Sequence, residues 1–192
     1  MNYLVFDTET KNTFQDVGSN NAVDLDISVI SIYDSQENKI SSFLEKDFSK
    51  MWPLFEKADV IVGYNSEHFD IPLLNKYYSG DLNQIKSIDL MVYIRESLGR
   101  RPKLDDIASA TLNTNKSAHG LEAVKWWREG KIKNIIKYCE KDVEITKNLY
   151  EFALKNKFVK LRDFSGKIIQ IDLNTETWEE KEDFSLTSSL PF

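Results

Sequence analysis

The chain has 192 residues, of which 41% are hydrophobic and 29% charged, and its formal net charge is −6. This length suits one well-filled domain. No apolar stretch approaches the roughly 18 residues that span a bilayer, and no secretory leader is visible, so a membrane or secreted protein is not predicted. The single cysteine, Cys139, excludes an internal disulfide; we expect a cytoplasmic protein in which Cys139 fills the core.

Charge is unevenly distributed along the chain. Residues 1–60 carry 5 basic and 11 acidic side chains, residues 61–160 carry 17 and 13, and residues 161–192 carry 3 and 7. The middle of the chain is therefore net positive. A local basic surface is what contact with phosphates requires, although a solvated surface of mixed charge explains the same counts.

The first half of the chain predicts a mixed sheet. The apolar run Tyr3–Phe6 is typical of a buried strand. The polar segment Lys11–Asp26 predicts a long loop, and the runs ISVISIYD and NKISSFL predict an antiparallel hairpin. A short helix at MWPLFEKA then leads into DVIVGYN, which is typical of a buried parallel strand. A helix from Pro72 and a short strand at IKSID follow.

The second half of the chain predicts mainly helices. Between Leu90 and Leu154 apolar residues recur at helical spacing, most regularly from about Lys131 to Lys155. Residues 158–171 predict a small terminal hairpin. We therefore expect one α/β domain over residues 1–172 and an acidic, disordered tail over residues 173–192.

Carboxylates follow the ends of two predicted strands. Asp7 and Glu9 lie two residues apart at the end of the first strand, and they point to the same side if the extended conformation continues. Asp70 follows the strand in DVIVGYN, where a helix begins. Each acid alone has an ordinary explanation, as a solvated strand end or as an acid at a helix N-terminus.

A further acid lies on the long predicted helix. Tyr138 and Asp142 are four residues apart, so their side chains share one face at the border of the apolar stripe. A hydrogen bond at the edge of the core would explain this pair by itself. Four converging carboxylates from three elements, however, would repel one another strongly without cations, and oxygen-rich sites of this kind suit Mg²⁺ or Mn²⁺.

The motifs FDTET, NSEHFD and YCEKD, in this order, resemble those of the DEDD 3′-to-5′ exonucleases of the ribonuclease H-like superfamily, also called DnaQ-like. KLDDIA and AHGLEAVKWWREGKIKNIIKYCEKD also resemble predicted ribonuclease H-like exonucleases of bacteria and phages. The resemblance covers about residues 1–155. It favours the tyrosine subclass, because Lys137 stands where the histidine subclass has its histidine, five residues before the last aspartate.

The resemblance implies a fold, an activity and a role for each acid. The fold would be a three-layer α/β domain with a central mixed sheet flanked by helices. The activity would be hydrolysis at the 3′ ends of single-stranded DNA or RNA, releasing nucleoside 5′-monophosphates by a two-metal-ion mechanism. Asp7 would bridge two divalent ions, Mg²⁺ or Mn²⁺; Glu9 and Asp142 would help to hold the first, Asp70 would support the second, and Tyr138 would orient or help to activate the attacking water.

Other residues are candidate substrate contacts: Thr8, Asn65, Arg100, Arg101, Lys103 and His119. Asn65 fits a substrate hydrogen bond and a purely structural turn equally well. The basic residues of the Gly99–Lys103 loop either contact phosphates or form a solvated loop. His119 either caps a helix or contacts substrate.

Two other functions fit the same residues, a noncatalytic nucleic-acid-binding or recruitment module and an endonuclease on the same scaffold. The end of the tail, SLTSSLPF, resembles peptides by which bacterial replication proteins bind a sliding clamp, but Thr187 replaces the usual glutamine. Residues 184–192 are therefore either a docking peptide for a clamp or another replication protein, or an inert tail.

Overall fold

A mixed five-stranded sheet lies at the centre of the computed structural model, which describes residues 1–114 and 121–180. In chain order its strands are β1 (Tyr3–Thr10), β2 (Ile27–Asp34), β3 (Lys39–Phe43), β4 (Val60–Gly63) and β5 (Ser87–Asp89). Their order across the sheet is β3-β2-β1-β4-β5. The pairs β1–β2 and β2–β3 are antiparallel, whereas β1–β4 and β4–β5 are parallel. The predicted hairpin and the predicted parallel strand are both confirmed.

Helices connect and cover these strands. The described helices are α1 (Phe14–Val17), α2 (Phe48–Lys57), α3 (Asp70–Asn75), α4 (Leu90–Leu98), α5 (Leu104–Leu112), α6 (Leu121–Arg128) and α7 (Ile132–Asn156). The prediction of one long loop over residues 11–26 is wrong, because α1 and a short 3-10 turn at Ala22–Asp24 interrupt it. A reciprocal capping box between Thr13 and Asp16 stabilises α1. The helix predicted from Pro72 begins two residues earlier, at Asp70.

Successive residues of β1 and β4 alternate between two cores, one on each face of the sheet. Leu4, Phe6 and Ile61 contribute to the core that contains residues of α2 and α3. Val5 and Val62 contribute to the core that contains residues of α4, α5 and α7. The two helical layers and the sheet between them confirm the predicted three-layer α/β fold.

A second, two-stranded sheet packs against the layer of α4, α5 and α7. It consists of β6 (Phe158–Arg162) and β7 (Ile168–Asp172), which pair antiparallel and confirm the predicted terminal hairpin. Packing continues past residue 172, where the sequence places the start of the tail. Trp178 is fully buried and stacks on Tyr150, with ring centroids 5.6 Å apart and planes 12° apart. The packed region therefore extends at least to Trp178, because its indole ring completes the core.

The end of the predicted tail, residues 181–192, lies outside the described residues, and so does the docking peptide predicted within it. Of the helices in the part of the chain that the structure describes, none is both long and apolar enough to cross a membrane.

Candidate active site

Strand β1 and helix α7 bring three of the predicted carboxylates together. Alternation along β1 places Asp7 and Glu9 on the same face as Val5, the face that α7 covers. One carboxylate oxygen each from Asp7, Glu9 and Asp142 lie within 4.8 Å of one another. Cys139, one turn before Asp142, is buried as predicted, and its Sγ contacts the Asp7 carbonyl oxygen at 3.2 Å. This contact fixes α7 closely against the end of the strand.

Asp70 reaches the site from the opposite face of the sheet. It begins α3 immediately after the loop that follows β4, and it is 4% exposed. Its Oδ1 accepts hydrogen bonds from the Thr8 backbone N–H at 3.0 Å and from the Thr8 hydroxyl at 2.5 Å. The hydroxyl of Thr8, a predicted substrate contact, therefore supports Asp70. Asp70 lines the same cleft as the other acids but lies outside the group of three within 4.8 Å.

A buried carboxylate that the sequence analysis did not single out, Asp89, holds the loop that carries Asp70. Its Oδ1 accepts from the N–H of Asn65 at 2.7 Å and its Oδ2 from the N–H of Glu67 at 3.1 Å. Its Oδ1 also caps α4 through the Met91 N–H at 3.0 Å. An acid between a strand and an apolar helix is the usual N-cap pattern, and this signal could have identified Asp89 from the sequence.

The same loop turns sharply at its start. A Cβ atom on Gly63 would collide with the Ser66 side chain, so glycine is required for this close approach. Asn65 then adopts a left-handed conformation with a φ of 64° and lines the cleft. Its backbone N–H holds the turn, whereas its side chain makes no hydrogen bond to another described residue. Both roles predicted for Asn65 are therefore compatible with its position.

All five predicted catalytic residues line one open cleft of about 460 Å³. Phe14, Tyr64 and Phe69 lie along the same cleft. The rings of Phe14 and Phe69 meet edge to face, with centroids 6.1 Å apart. The cleft therefore combines a carboxylate cluster with aromatic walls.

Tyr138 lies on α7 one turn before Asp142. Its ring packs edge to face against Trp126 of α6, with centroids 6.1 Å apart. Burial, followed by the negative charge of Asp142, raises the pKa of the Tyr138 hydroxyl. The hydroxyl is therefore protonated at neutral pH and can act as a hydrogen-bond donor in the cleft.

The carboxylates strongly perturb one another. Burial raises the pKa of the Asp7 carboxyl well above its ordinary value, and the charges of Asp70 and Glu9 raise it further. Burial, and then the charge of Asp142, raises the pKa of Glu9. Burial raises the pKa of Asp70 to about 7, although the hydrogen bonds from Thr8 oppose this change. The protein alone thus disfavours the ionised forms that these residues would adopt in water.

A divalent cation fits this donor set. Asp7 Oδ2 is buried and has no hydrogen-bond partner among the described residues. No ion pair within residues 1–114 and 121–180 involves Asp7, Glu9 or Asp70. Hard cations such as Mg²⁺ and Mn²⁺ prefer such oxygen ligands. Asp7, Glu9 and Asp142 are the residues that could hold the metal.

The predicted basic contacts do not line the cleft. Arg100, Arg101 and Lys103 are exposed on the loop between α4 and α5. The Tyr64 hydroxyl donates to the Pro102 carbonyl at 2.9 Å, which ties this loop to the wall of the cleft. The structure therefore does not bring the basic side chains into the carboxylate cluster. His119 lies outside the described residues.

Comparisons with known proteins agree with this architecture. The chain is similar to the family B DNA polymerase of the hyperthermophilic archaeon Pyrobaculum calidifontis, with a TM-score of 0.61 and 20% sequence identity. The match covers 80% of this chain but only 24% of the polymerase chain, and it concerns the fold. A search of curated proteins finds no match. A family model described as the RNase_H superfamily matches residues 4–154. The chain therefore belongs to the RNase_H superfamily.

Proposed function

We propose that this protein is a divalent-metal-dependent 3′-to-5′ exonuclease that shortens single-stranded DNA or RNA. The observation that carries the proposal is the approach of Asp7, Glu9 and Asp142 within 4.8 Å in a cleft that Asp70 and Tyr138 also line. Membership of the RNase_H superfamily supports a nuclease. The order of the three sequence motifs supports the tyrosine-bearing exonuclease subclass.

The reaction would be hydrolysis of the terminal phosphodiester. Two divalent ions, Mg²⁺ or Mn²⁺, held by Asp7, Glu9, Asp142 and Asp70, would supply positive charge that offsets the charge on the phosphate and on the attacking oxygen. The oxygen of a water molecule bonds to phosphorus while the P–O3′ bond breaks. The products are a nucleoside 5′-monophosphate and a strand one nucleotide shorter, with a new 3′-hydroxyl.

Residues of the chain position the reacting groups. The protonated Tyr138 hydroxyl donates a hydrogen bond that orients the water or a phosphate oxygen. The Thr8 hydroxyl and N–H fix the Asp70 carboxylate, so one rotamer of this acid faces the cleft. The rings of Phe14 and Phe69 offer apolar contact to a terminal base of any sequence, because every base has an aromatic face.

The experiment that tests this function uses 5′-labelled single-stranded DNA and RNA of one sequence. Each is incubated with the protein in Mg²⁺, in Mn²⁺ and in EDTA, beside the variants Asp7→Ala and Glu37→Ala. Glu37 is exposed on the turn between β2 and β3, so its variant is a matched control for the loss of one carboxylate. We expect a metal-dependent ladder that shortens from the 3′ end with the unchanged protein and Glu37→Ala, and no ladder with Asp7→Ala.

Two results would contradict the proposal. Cleavage of circular single-stranded DNA would indicate an endonuclease, since a circle has no 3′ end. Binding of labelled strands without cleavage in either metal would indicate a noncatalytic recruitment module.

A further inference from the structure

The tip of the β6–β7 hairpin holds an aromatic side chain in solvent. Phe164 is 95% exposed, whereas Met1, the next most exposed large hydrophobic residue in the described part of the chain, is 42% exposed. Exposure of a whole phenyl ring is unfavourable in water. A ring in this position is therefore available to a partner.

The hairpin tip is held by hydrogen bonds. Asp163 Oδ1 accepts from the Ser165 N–H at 2.9 Å, the Ser165 hydroxyl at 2.7 Å and the Lys167 N–H at 2.9 Å. Arg162 Nη1 donates to the Gly166 carbonyl at 2.7 Å, and Gly166 supplies the left-handed conformation with a φ of 86°. The exposed position of Phe164 is thus built into the turn.

One basic side chain contacts this ring, and others are exposed on the same loop and hairpin. The Arg100 guanidinium lies 4.8 Å from the centroid of the Phe164 ring, at cation–π distance. Arg101 and Lys103 are exposed in the same loop, and Lys167 is exposed on the hairpin. The nearest acid in the hairpin, Asp163, is occupied by its own turn. Phe164 therefore lies beside a basic surface.

This basic and aromatic surface is connected to the cleft. Tyr64 lines the cleft and donates to the Pro102 carbonyl at 2.9 Å. Arg100 precedes Pro102 by two residues, which corresponds to at most about 7 Å of extended backbone. The loop that carries Arg100 is therefore joined to the wall of the cleft, and Arg100 in turn contacts Phe164.

We propose that Phe164 and Arg100 form a second contact for single-stranded nucleic acid, outside the cleft. The proposal rests on the proposed exonuclease function and extends it to the body of the substrate strand. Phe164 stacks on an unpaired base, and Arg100, Arg101 and Lys103 contact neighbouring phosphates. An exposed ring beside cations recognises unpaired strands, because the base faces are buried in a duplex. A protein partner would require a larger apolar area than one ring and the partly exposed Ile168.

The test compares the binding of a fluorescent 20-nucleotide single strand in EDTA, where metal-dependent cleavage cannot occur. We expect Phe164→Ala to weaken binding about tenfold, the effect typical of a lost base stack. Phe164→Trp should bind as the unchanged protein does. Arg100→Ala should weaken binding. It should also make the plot of log binding constant against log salt concentration less steep, by about the amount expected for one lost phosphate contact.

Two variants serve as controls. Ile168→Ala removes the other exposed apolar side chain of the same hairpin. Lys39→Ala removes one positive charge on β3, at the sheet edge opposite β5. Neither should change binding. Cleavage of a four-nucleotide strand in Mg²⁺ should be equal in Phe164→Ala and the unchanged protein, because so short a strand is held by the cleft.

Unchanged binding by Phe164→Ala would overturn the proposal, as would an equal loss of binding to a 20-base-pair duplex. A loss of four-nucleotide cleavage in Phe164→Ala would also overturn it, because that result would place the effect in the cleft. Failure of the exonuclease itself would be recognised differently, as absence of cleavage by the unchanged protein on strands of every length.

Discussion

Two carboxylate sites, one at the fully buried Asp89 and one at the half-buried Asp7, lie at the ends of parallel strands, and they differ in what stabilises their charge. Asp89, at the end of β5, accepts hydrogen bonds from three backbone N–H groups. Asp7, near the end of β1, has Glu9 and Asp142 as neighbours, and its Oδ2 has no partner among residues 1–114 and 121–180. Burial still raises the pKa of Asp89, but hydrogen bonds from the backbone oppose this change and tie its carboxylate into the fold. The second site brings carboxylates together, and a cation bound there would offset their repulsion.

Substitution of Asp7 should have the strongest consequence and should distinguish the Asp7 site from the Asp89 site. Asp7→Asn should reduce exonuclease activity by at least about a thousandfold, because metal ions contribute several kcal/mol to such reactions. In EDTA the same variant should melt at a higher temperature than the unchanged protein, since it removes one of the repelling buried charges. Mg²⁺ or Mn²⁺ should raise the melting temperature of the unchanged protein and leave that of the variant nearly constant. A lower melting temperature for Asp7→Asn in EDTA would contradict the comparison.

Asp89→Ala, in contrast to Asp7→Asn, should lower the stability of the protein, and this loss should not depend on metal. Three backbone N–H groups lose their acceptor, so the free energy of unfolding should fall by about 2 to 4 kcal/mol. Urea denaturation should give the same loss in EDTA and in Mg²⁺, because the Asp89 carboxylate is engaged by backbone N–H groups. If Mg²⁺ reverses the loss of stability in Asp89→Ala, Asp89 would instead belong to the metal ligands.

Tyr138→Phe changes an uncharged group beside the carboxylates. Removal of the hydroxyl should reduce the cleavage rate about tenfold to a hundredfold, which is typical of a lost positioning contact. The rise in melting temperature with Mg²⁺ should remain, because every carboxylate is still present. If the metal effect disappears in Tyr138→Phe, the tyrosine supports metal binding and does not only position the reacting groups.

The smallest change in stability is expected when Thr8, which donates a hydrogen bond to Asp70, is substituted. Thr8→Val removes the hydroxyl that donates to Asp70 Oδ1 but keeps the backbone N–H bond to the same atom. The free energy of unfolding should fall by about 1 kcal/mol, measured by urea denaturation. Thr8→Ser retains the hydroxyl and is the matched control. If Thr8→Val is as stable as the unchanged protein, the hydroxyl bond to Asp70 does not contribute to stability.

Much of the fold follows from local patterns in the sequence. The apolar runs predict β1 and β4, and the helical period of apolar residues predicts α7. The pattern does not predict α1, because four residues are too few to show a helical period, although Thr13 and Asp16 carry its capping signal. The sequence also places Trp178 in the tail, because an isolated tryptophan among acids has no period; its ring contacts with Tyr93 and Tyr150 place it in the core.

Local spacing in the sequence is enough to show which residues of the candidate site share a face. Period two places Asp7 with Glu9, and four-residue spacing on α7 places Tyr138 with Asp142. That these faces meet cannot be read from local spacing, because the packing of α7 on β1 depends on burial of side chains that are distant in the sequence. The same reason applies to three other contacts, which only the folded chain reveals. They are the hydrogen bond from Thr8 to Asp70, the hydrogen bond from the Asn65 N–H to Asp89, and the contact of Arg100 with Phe164.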